Sequence, residues 1–276
     1  MFTPLRFTAA VAGFSLTSAS LFGLVNYTSG HGDIAVEYDE GAGMFELVYL
    51  FGEGSEEYTL NGVTSSEEQE MDLDAVKLVL PQTSTSLVQN DGPVNTTPTG
   101  AAVGENVFII PAAFTAGLPF LGFDIEGVLG GHHGEEEGEE EEEPEQTAED
   151  NLWTGPLVIS LTSVNGPDGG EFSVFDSAVP GPNFLMTSAD GIDGTDFFEA
   201  DPDLEVQHHQ HFNLTFTEIG TYEIEFTVDG MHEEDGAITG SGTAIFQVVP
   251  EPSTYAVIAG AFALGLAVWA RKRRAA

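Results

Sequence analysis

The histidines are the residues whose placement most directly predicts chemistry in this chain. All seven fall at four places, which are His31, His132 with His133, the group His208, His209 and His211, and His232. Imidazole is the commonest metal ligand in proteins. Such tight clustering makes a metal site the first hypothesis for the chain.

The spacing at two of these places suits one shared ion. His209 and His211 are two residues apart, and side chains at that spacing lie on the same side of a β-strand. His31 and Asp33 have the same relation near the start of the chain. If the two strands come together, three imidazoles and one carboxylate would form a Zn²⁺-type site. Zinc is therefore the candidate cofactor.

Each of these histidines also has a structural alternative. His208 would serve as the solvated flank of a strand. His209 and His211 would serve as surface partners across neighbouring strands, and His31 as part of a disordered terminus. The sequence leaves these alternatives open.

Two loops are weaker metal candidates. His132 and His133 open a run of glutamates, and a flexible loop of this composition either collects divalent metal weakly or acts only as a solvated acidic spacer. The loop 190–196 is rich in Asp and Gly, which suggests calcium. Its spacing does not match an EF-hand, and no closing glutamate follows at the right place. A plain Asx/Gly turn is the favoured interpretation of that loop.

Charge restricts the partners of the chain. There are 46 acidic residues and six lysines and arginines, for a formal net charge of −40, and Lys77 is the only Lys or Arg between Arg6 and Arg271. Nucleic-acid phosphates require cations that displace counterions, so nucleic acids and anionic membrane surfaces are excluded. Divalent metals, cationic partners or a salty medium suit such a surface, and so does a purely solubilising role. The chain contains no cysteine and therefore forms no disulfide.

Catalytic motifs are missing from the sequence. It contains no G-x-S-x-G elbow, no H-E-x-x-H helix, no P-loop and no cysteine nucleophile. Pairs of carboxylates are too numerous for any one pair to indicate glycoside hydrolysis. We therefore expect a protein that is not an enzyme, with a surface glycan hydrolase as the least favoured alternative.

The elements that must position the histidines are predicted to be strands. The 33 glycines, 14 prolines and 20 phenylalanines favour strands and turns over helices. Alternating or continuous apolar residues predict strands at 31–38, 44–51, 75–80, 107–110, 152–162, 170–176, 183–187, 206–217, 221–229 and 237–249, and 120–123 is a further apolar patch. The expected fold is all-β, an antiparallel, Ig-like β-sandwich. The acidic segment 131–151 is predicted to be disordered, as a linker or as a long inserted loop.

Both ends of the chain carry predicted targeting segments. Residues 1–30 have the basic start and apolar stretch of a secretory signal helix, with cleavage after Ala19 or nearer Gly30. After Val249, a proline-containing motif precedes an apolar, uncharged run at 256–270 that is long enough for one membrane helix, and a basic tail follows. The motif and tail residues are Pro250, Glu251, Pro252, Arg271, Lys272, Arg273 and Arg274.

The order of motif, span and basic tail resembles the PEP-CTERM sorting signal of Gram-negative bacteria. The resemblance covers about the last 26 residues of the chain. It implies export, recognition by an exosortase-type membrane enzyme, cleavage near 250–252 and delivery to the cell surface, the outer membrane or an extracellular polysaccharide matrix. The membrane would then be contacted only through the C-terminal segment, as a transient inner-membrane anchor. The alternative is an ordinary single-pass anchor.

The stretch His209-Gln210-His211-Phe212-Asn213, with Phe216-Thr217 and Gly220-Thr221-Tyr222, resembles the choice-of-anchor M family, also called the actinobacterial-type surface-anchored domain. The opening segment 31–38 resembles the same family. One departure is Leu214, which stands where the family has tryptophan. The resemblance runs across the acidic segment, which implies a single domain at 31–249 with an insert at 131–151. Related proteins are associated with zinc or manganese transport, which favours the metal hypothesis.

Together these patterns predict an exported, acidic, non-enzymatic protein of the cell surface or matrix. Its first expected activity is binding of a divalent metal, zinc, through His31, Asp33, His209 and His211. The alternative is a structural or adhesive protein that associates with exopolysaccharide and has no metal site.

Overall fold

The structure, a computed structural model, describes residues 23–88, 90–91, 94–129, 152–177 and 182–250. The acidic insert, with His132 and His133, lies outside these residues. So does most of the predicted secretory signal. Of the predicted sorting signal, Pro250 is described, whereas Glu251, Pro252, the apolar run and the basic tail of Arg271, Lys272, Arg273 and Arg274 are not. Within the described part of the chain, no helix has the length and apolar character needed to cross a membrane.

The described residues form strands joined by turns, with helical structure limited to short 3₁₀ turns. The strands are β1 (Val25–Asp39), β2 (Met44–Phe51), β3 (Tyr58–Leu60), β4 (Val63–Ser65), β5 (Gln69–Asp72), β6 (Val76–Pro81), β7 (Thr85–Leu87), β8 (Asn90–Asp91), β9 (Val94–Asn95), β10 (Asn106–Ile110), β11 (Pro119–Asp124), β12 (Leu157–Asn165), β13 (Phe172–Asp176), β14 (Asn183–Thr187), β15 (Phe197–Ala200), β16 (His209–His211), β17 (Asn213–Phe216), β18 (Gly220–His232) and β19 (Gly236–Val249). The 3₁₀ turns are Glu53–Ser55, Leu73–Ala75, Thr97–Thr99, Glu126–Leu129 and Glu205–Gln207.

Two sheets share one hydrophobic core. The larger sheet has the order β15-β12-β18-β19-β6-β1-β11-β16, with β2 to β5 attached beside β1, and the smaller has the order β14-β13-β17-β10-β7. Phenylalanine rings from the two sheets meet between them, with centroids 5.3 Å apart for Phe216 and Phe246 and 6.3 Å apart for Phe172 and Phe226. The all-β prediction is confirmed, and two open sheets around one core are consistent with the predicted sandwich.

The larger sheet is mixed, so the prediction of a purely antiparallel fold is wrong. Strand β1 pairs in parallel with both β11 and β6, and β6 pairs in parallel with β19. Local alternation predicts a strand and its buried face but does not specify the direction of the partner. Strands separated by long stretches of chain can pair in either direction, because only a short hairpin enforces antiparallel pairing.

The first strand begins earlier than the sequence pattern predicts. It starts at Val25, and its first residues pair with β6 while the side chain of Tyr27 is fully buried. The Tyr27 hydroxyl donates a hydrogen bond to the carbonyl of Gly30 at 2.5 Å. Residues 25–30 thus belong to the folded sheet.

The segment predicted as one strand at 206–217 is divided between the two sheets. A 3₁₀ turn at Glu205–Gln207 leads into β16 at the edge of the larger sheet, and β17 then joins the smaller sheet. The chain changes sheets at Phe212, whose buried ring packs against Phe198 and Phe123. Leu214 is fully buried in β17 and belongs to the core between the two sheets. This corner fixes His209 and His211 at the sheet edge.

Candidate metal centre

Three neighbouring strands of the larger sheet bring the predicted ligands onto one face. Strand β11 lies between β1 and β16, so Gly122 is opposite both Asp33 and His211, while Asp124 is opposite His209. His31 lies two residues before Asp33 on β1 and therefore shares this face. The alternate residues of the same strands, such as Ile34 and Phe123, point the other way into the main core. The candidate ligands therefore lie on the opposite side of the sheet from the core.

The four predicted ligands converge on one point. The Nε2 atoms of His31 and His211 are 3.3 Å apart, and Nε2 of His209 is 3.0 Å from Oδ1 of Asp33. Nε2 of His31 is 3.2 Å from Oδ2 of Asp33. One ligand atom from each of the four residues lies within 4.8 Å of all the others. The predicted convergence of these residues is confirmed, and the group could hold a metal ion.

These separations are close to the edge length of a metal coordination tetrahedron, and the two that involve Asp33 use its two different carboxylate oxygens. Ligand atoms bound to zinc at about 2.0–2.1 Å in tetrahedral geometry are about 3.3–3.4 Å from one another. The three separations in the group, 3.3, 3.2 and 3.0 Å, are at or slightly below that edge length. Two imidazole nitrogens at 3.3 Å can share only one proton. A cation between them would satisfy both lone pairs at once.

Gly122 leaves the space in which the ligands meet. A Cβ atom at this position would collide with Oδ1 of Asp33 and would lie 2.9 Å from Cε1 of His211. Glycine is otherwise unfavourable inside a strand because it contributes no packing and loses more backbone entropy. Its presence between Asp33 and His211 indicates that room for the two side chains outweighs that cost.

Unpartnered buried polar atoms are concentrated in this region. Among the described residues, the buried side-chain atoms without a hydrogen-bond partner are His31 Nδ1, Asp33 Oδ2, Tyr49 Oη, Glu53 Oε2, Asp124 Oδ2 and His211 Nδ1. Asp33 Oδ2 is close to His31 Nε2, but the angles do not make a hydrogen bond. Leaving such a group unpaired costs about 1–3 kcal/mol, and more when it is charged. Five of these six atoms, all except Tyr49 Oη, belong to the candidate ligands. Such a concentration of unpaired buried polar atoms indicates a binding site.

No lysine or arginine compensates the carboxylates of this face. Lys77 is the only Lys or Arg among the described residues, and it lies on β6. Asp33 and Asp124 are 0 % and 1 % exposed. A buried, unpaired carboxylate costs several kcal/mol, so it binds a proton or a cation instead. The histidines and a bound ion are thus the available sources of positive charge.

Protons take the place of a cation when no metal is bound. Burial raises the pKa of Asp124 to about 7, because desolvation disfavours its charged form. The hydrogen bond to Asp33 raises the pKa of His209 to about 9. Burial lowers the pKa of His211 to about 4, so its ring is neutral and keeps a free lone pair. A metal ion would displace the protons from His209 and Asp124.

The carboxylate of Glu56 is placed to support His31. Its Oε2 is 3.0 Å from Nδ1 of His31, although the angles do not yet make a hydrogen bond. A metal-bound histidine commonly donates its other ring N–H to a carboxylate, which fixes the orientation of the ring. Beside them is an open cleft of about 570 Å³ bordered by His31, Glu56, Phe114 and Phe120. The group therefore lies next to a surface depression rather than within the sandwich core.

Sequence reasoning missed two residues of this region. Glu53, Asp124 and His209 form a second group whose ligand atoms lie within 4.8 Å of one another. Asp124 follows the apolar stretch at 120–123, and its alternation with Gly122 on one strand was the available signal. Glu53 follows β2 in a 3₁₀ turn and carries no such signal, since it is one of 46 acidic residues.

The remaining candidates are placed elsewhere or have partners. His208 contacts the carbonyl of Pro202 through Nε2 at 2.8 Å and is not part of either group. In the loop 190–196, one oxygen of Asp193 accepts hydrogen bonds from the N–H and hydroxyl of Thr195. Asp196 accepts hydrogen bonds from two backbone N–H groups. These carboxylates are used as turn and strand caps, in agreement with the Asx/Gly-turn interpretation.

Comparison with known proteins adds no further information on this centre. No protein-family model, no curated protein and no solved structure matches the chain. Interpretation of the centre therefore rests on its own geometry and on the sequence.

Proposed function

We propose that this is an exported protein of the cell surface or extracellular matrix that binds a divalent cation, zinc, through His31, Asp33, His209 and His211. The observation that carries the proposal is the set of ligand atoms 3.0–3.3 Å apart beside unpartnered buried polar atoms. The four donors are three imidazoles and a carboxylate, a set that suits Zn²⁺. The ion would supply the positive charge that lysine and arginine do not.

The number of protein ligands favours a binding role over catalysis. Four protein ligands fill a tetrahedron, whereas catalytic zinc sites keep one position for water or substrate. The ion would join β1 to the edge strand β16 and hold the metal-facing side chains in fixed rotamers. We therefore propose a protein that is not an enzyme and that holds the ion in an Ig-like domain.

The sequence patterns near both termini and the charge of the chain support the proposed location. The PEP-CTERM-like end would be processed by an exosortase-type enzyme after export and a transient stay in the inner membrane. A net charge of −40 suits a hydrated, soluble domain in a salty medium outside the cell. Extracellular polysaccharide or another matrix component would be its neighbour there. The alternative is an adhesive matrix protein whose histidines bind no metal.

Metal content tests the proposal directly. Protein collected from the cell-surface or medium fraction should retain a tightly bound Zn²⁺ after dialysis against millimolar Mg²⁺, which occupies weak surface carboxylates. A His209→Ala/His211→Ala variant should lose it, because half of the ligands are gone. The matched control is His208→Ala, a neighbouring histidine outside the group, which should retain the ion.

Two results would contradict the proposal. Zinc uptake that is the same in the double variant and in the wild type would show that the ion is held elsewhere, for example by His132 and His133. Protein found only inside the cell would exclude the proposed location. Binding to exopolysaccharide that is indifferent to chelators, with no retained metal, would favour the adhesive alternative.

A further inference from the structure

We propose that the centre holds a second divalent cation, bound by Glu53, Asp124 and the Nδ1 atom of His209, so that the imidazole of His209 bridges two ions. The inference rests on the proposed function, since the first ion occupies the Nε2 side of the same ring. The second position was not suggested by the sequence. It follows from where β11 and the turn after β2 place their carboxylates.

The geometry places three donors around a common point. Asp124 is directly opposite His209 in the pairing of β11 with β16. Glu53 Oε2 is 3.9 Å from His209 Nδ1. This is too long for a hydrogen bond, but it is within the roughly 4.2 Å that two ligands about 2.1 Å from one ion can span. His209 Nε2, on the other side of the ring, is 3.0 Å from Asp33 in the first group.

The unpartnered atoms point to a ligand at this position. Asp124 is buried, and its Oδ1 accepts a hydrogen bond from the N–H of Glu126 at 2.6 Å, which fixes the carboxylate. Its Oδ2 has no partner, and neither has Oε2 of Glu53. Glu53 is held over the face by Gly52, which has a left-handed backbone conformation with φ of 81° at the start of the turn. Two buried carboxylate oxygens thus lie near one nitrogen of His209, and no described lysine or arginine is beside them.

The charges of the centre balance with two ions. Asp33, Asp124 and Glu53 each contribute one negative charge. His209 contributes a fourth when both of its nitrogens bind metal, because the second ion displaces the remaining ring proton to solvent. Two divalent cations neutralise these four charges. A single cation leaves His209 neutral and one buried negative charge in excess, which the surrounding low dielectric makes costly.

The donor set indicates the class of the second ion. Two carboxylates and one imidazole suit Zn²⁺ or Mn²⁺. Three protein ligands also leave at least one position for water or an added ligand, unlike the first group with its four. The first position would therefore be closed and the second open to exchange.

Counting tightly bound ions tests the second position. The full-length protein is loaded with Zn²⁺, dialysed against millimolar Mg²⁺ and analysed for zinc per chain, as a reference protein and as its Asp124→Asn and Glu53→Gln variants. All proteins carry His132→Ala and His133→Ala, so that the acidic insert does not add histidine ligands. We expect two equivalents in the reference protein and one in each variant. Asparagine at position 124 still offers an oxygen that accepts the hydrogen bond from the N–H of Glu126. Asp124 lies on β11 and Glu53 in the turn after β2, so misfolding of one variant leaves the other as a valid test.

The control and the outcomes separate this inference from the proposed function. Glu57→Gln, the same change at an exposed side chain four residues away, should retain two equivalents. His209→Gln should weaken binding of both ions, because it removes the shared ring. One equivalent in the reference, Asp124→Asn and Glu53→Gln proteins alike would overturn the second position and leave the first intact. No retained zinc in any of them would overturn both.

Discussion

Two buried histidine environments in this protein differ in what surrounds the ring. His232 contacts Asp235 through Nδ1 at 3.1 Å, and its ring packs against Tyr38 and Trp153 with centroids 5.2 and 5.0 Å apart. The Tyr38 hydroxyl donates a hydrogen bond to the same carboxylate at 2.6 Å. The group of His31, Asp33, His209 and His211 has equally close neighbours, but several of its buried atoms have no hydrogen-bond partner.

The difference shows that burial of a histidine beside a carboxylate does not by itself indicate a metal site. The side chain of Asp235 is 54 % exposed, so water stabilises its charge, whereas that of Asp33 is fully buried. His232 acts as a packing residue between aromatic rings. The side chains around Gly122 include buried polar atoms that have no hydrogen-bond partner, so this group could hold a metal ion. Three predictions separate these two roles.

The largest effect is expected from His232→Ala. Removing the buried ring leaves a cavity between Tyr38 and Trp153, which should lower the free energy of unfolding by about 3 kcal/mol. The number of zinc ions retained per chain should not change. Denaturant unfolding and metal analysis of the same sample measure both quantities. Loss of zinc from the folded variant would mean that the two histidine environments are not independent.

An intermediate effect is expected from Gly122→Ala. The added methyl group meets the side chains of Asp33 and His211 rather than backbone, so the ligands must shift while the sheet remains. Zinc affinity should fall by about 10- to 100-fold, comparable to the loss of a supporting residue of a metal site. The matched control is Gly194→Ala, where nothing lies within 4 Å of the added atom. Equal affinity in both variants, measured by competition with a chromophoric chelator, would disprove the role of Gly122.

The smallest effect is expected from pH. In the metal-free protein His209 keeps its proton to about pH 9, whereas in the unfolded chain it loses it near 6.5. The stabilising contribution of this proton is complete below the unfolded pKa and is lost as the pH rises through the folded one. Metal-free protein should therefore lose on the order of 1 kcal/mol of stability between about pH 7 and 8.

Zinc should remove this pH dependence, because the metal already holds His209 in its unprotonated form. A His209→Gln variant should show a flatter dependence without metal. Urea unfolding at both pH values, with zinc and with a chelator, tests the prediction. An equal loss of stability in the zinc-bound and metal-free proteins would contradict it.

The first group could be predicted from sequence because its information is local. His31 with Asp33, and His209 with His211, each have the two-residue spacing that places both side chains on one face of a strand. The sequence predicts that the two pairs form one site only if their strands lie close together, and it does not show that they do. It depends on β11 lying between them and on its parallel pairing with β1, which no local pattern specifies.

Asp124 and Glu53 could not be distinguished from the other acidic residues for a related reason. A carboxylate becomes a candidate ligand when its surroundings exclude water, and burial is a property of the assembled sheet. In the sequence, Asp124 is only the polar end of an apolar stretch. The sequence pattern predicts the first strand only from residue 31, although β1 begins at Val25, because residues 25–30 also fit the end of a secretory signal.

The order of strands in the larger sheet has a consequence for the integrity of the protein. Strands β6, β1 and β11 precede residue 130, while their neighbours β19 and β16 follow residue 151. A single peptide-bond cleavage within 130–151 would give two fragments that remain interleaved, since each edge of the first is paired with the second. An ion bound by His31 and Asp33 from one fragment and His209 and His211 from the other would cross-link them reversibly, in a protein that has no cysteine to do so.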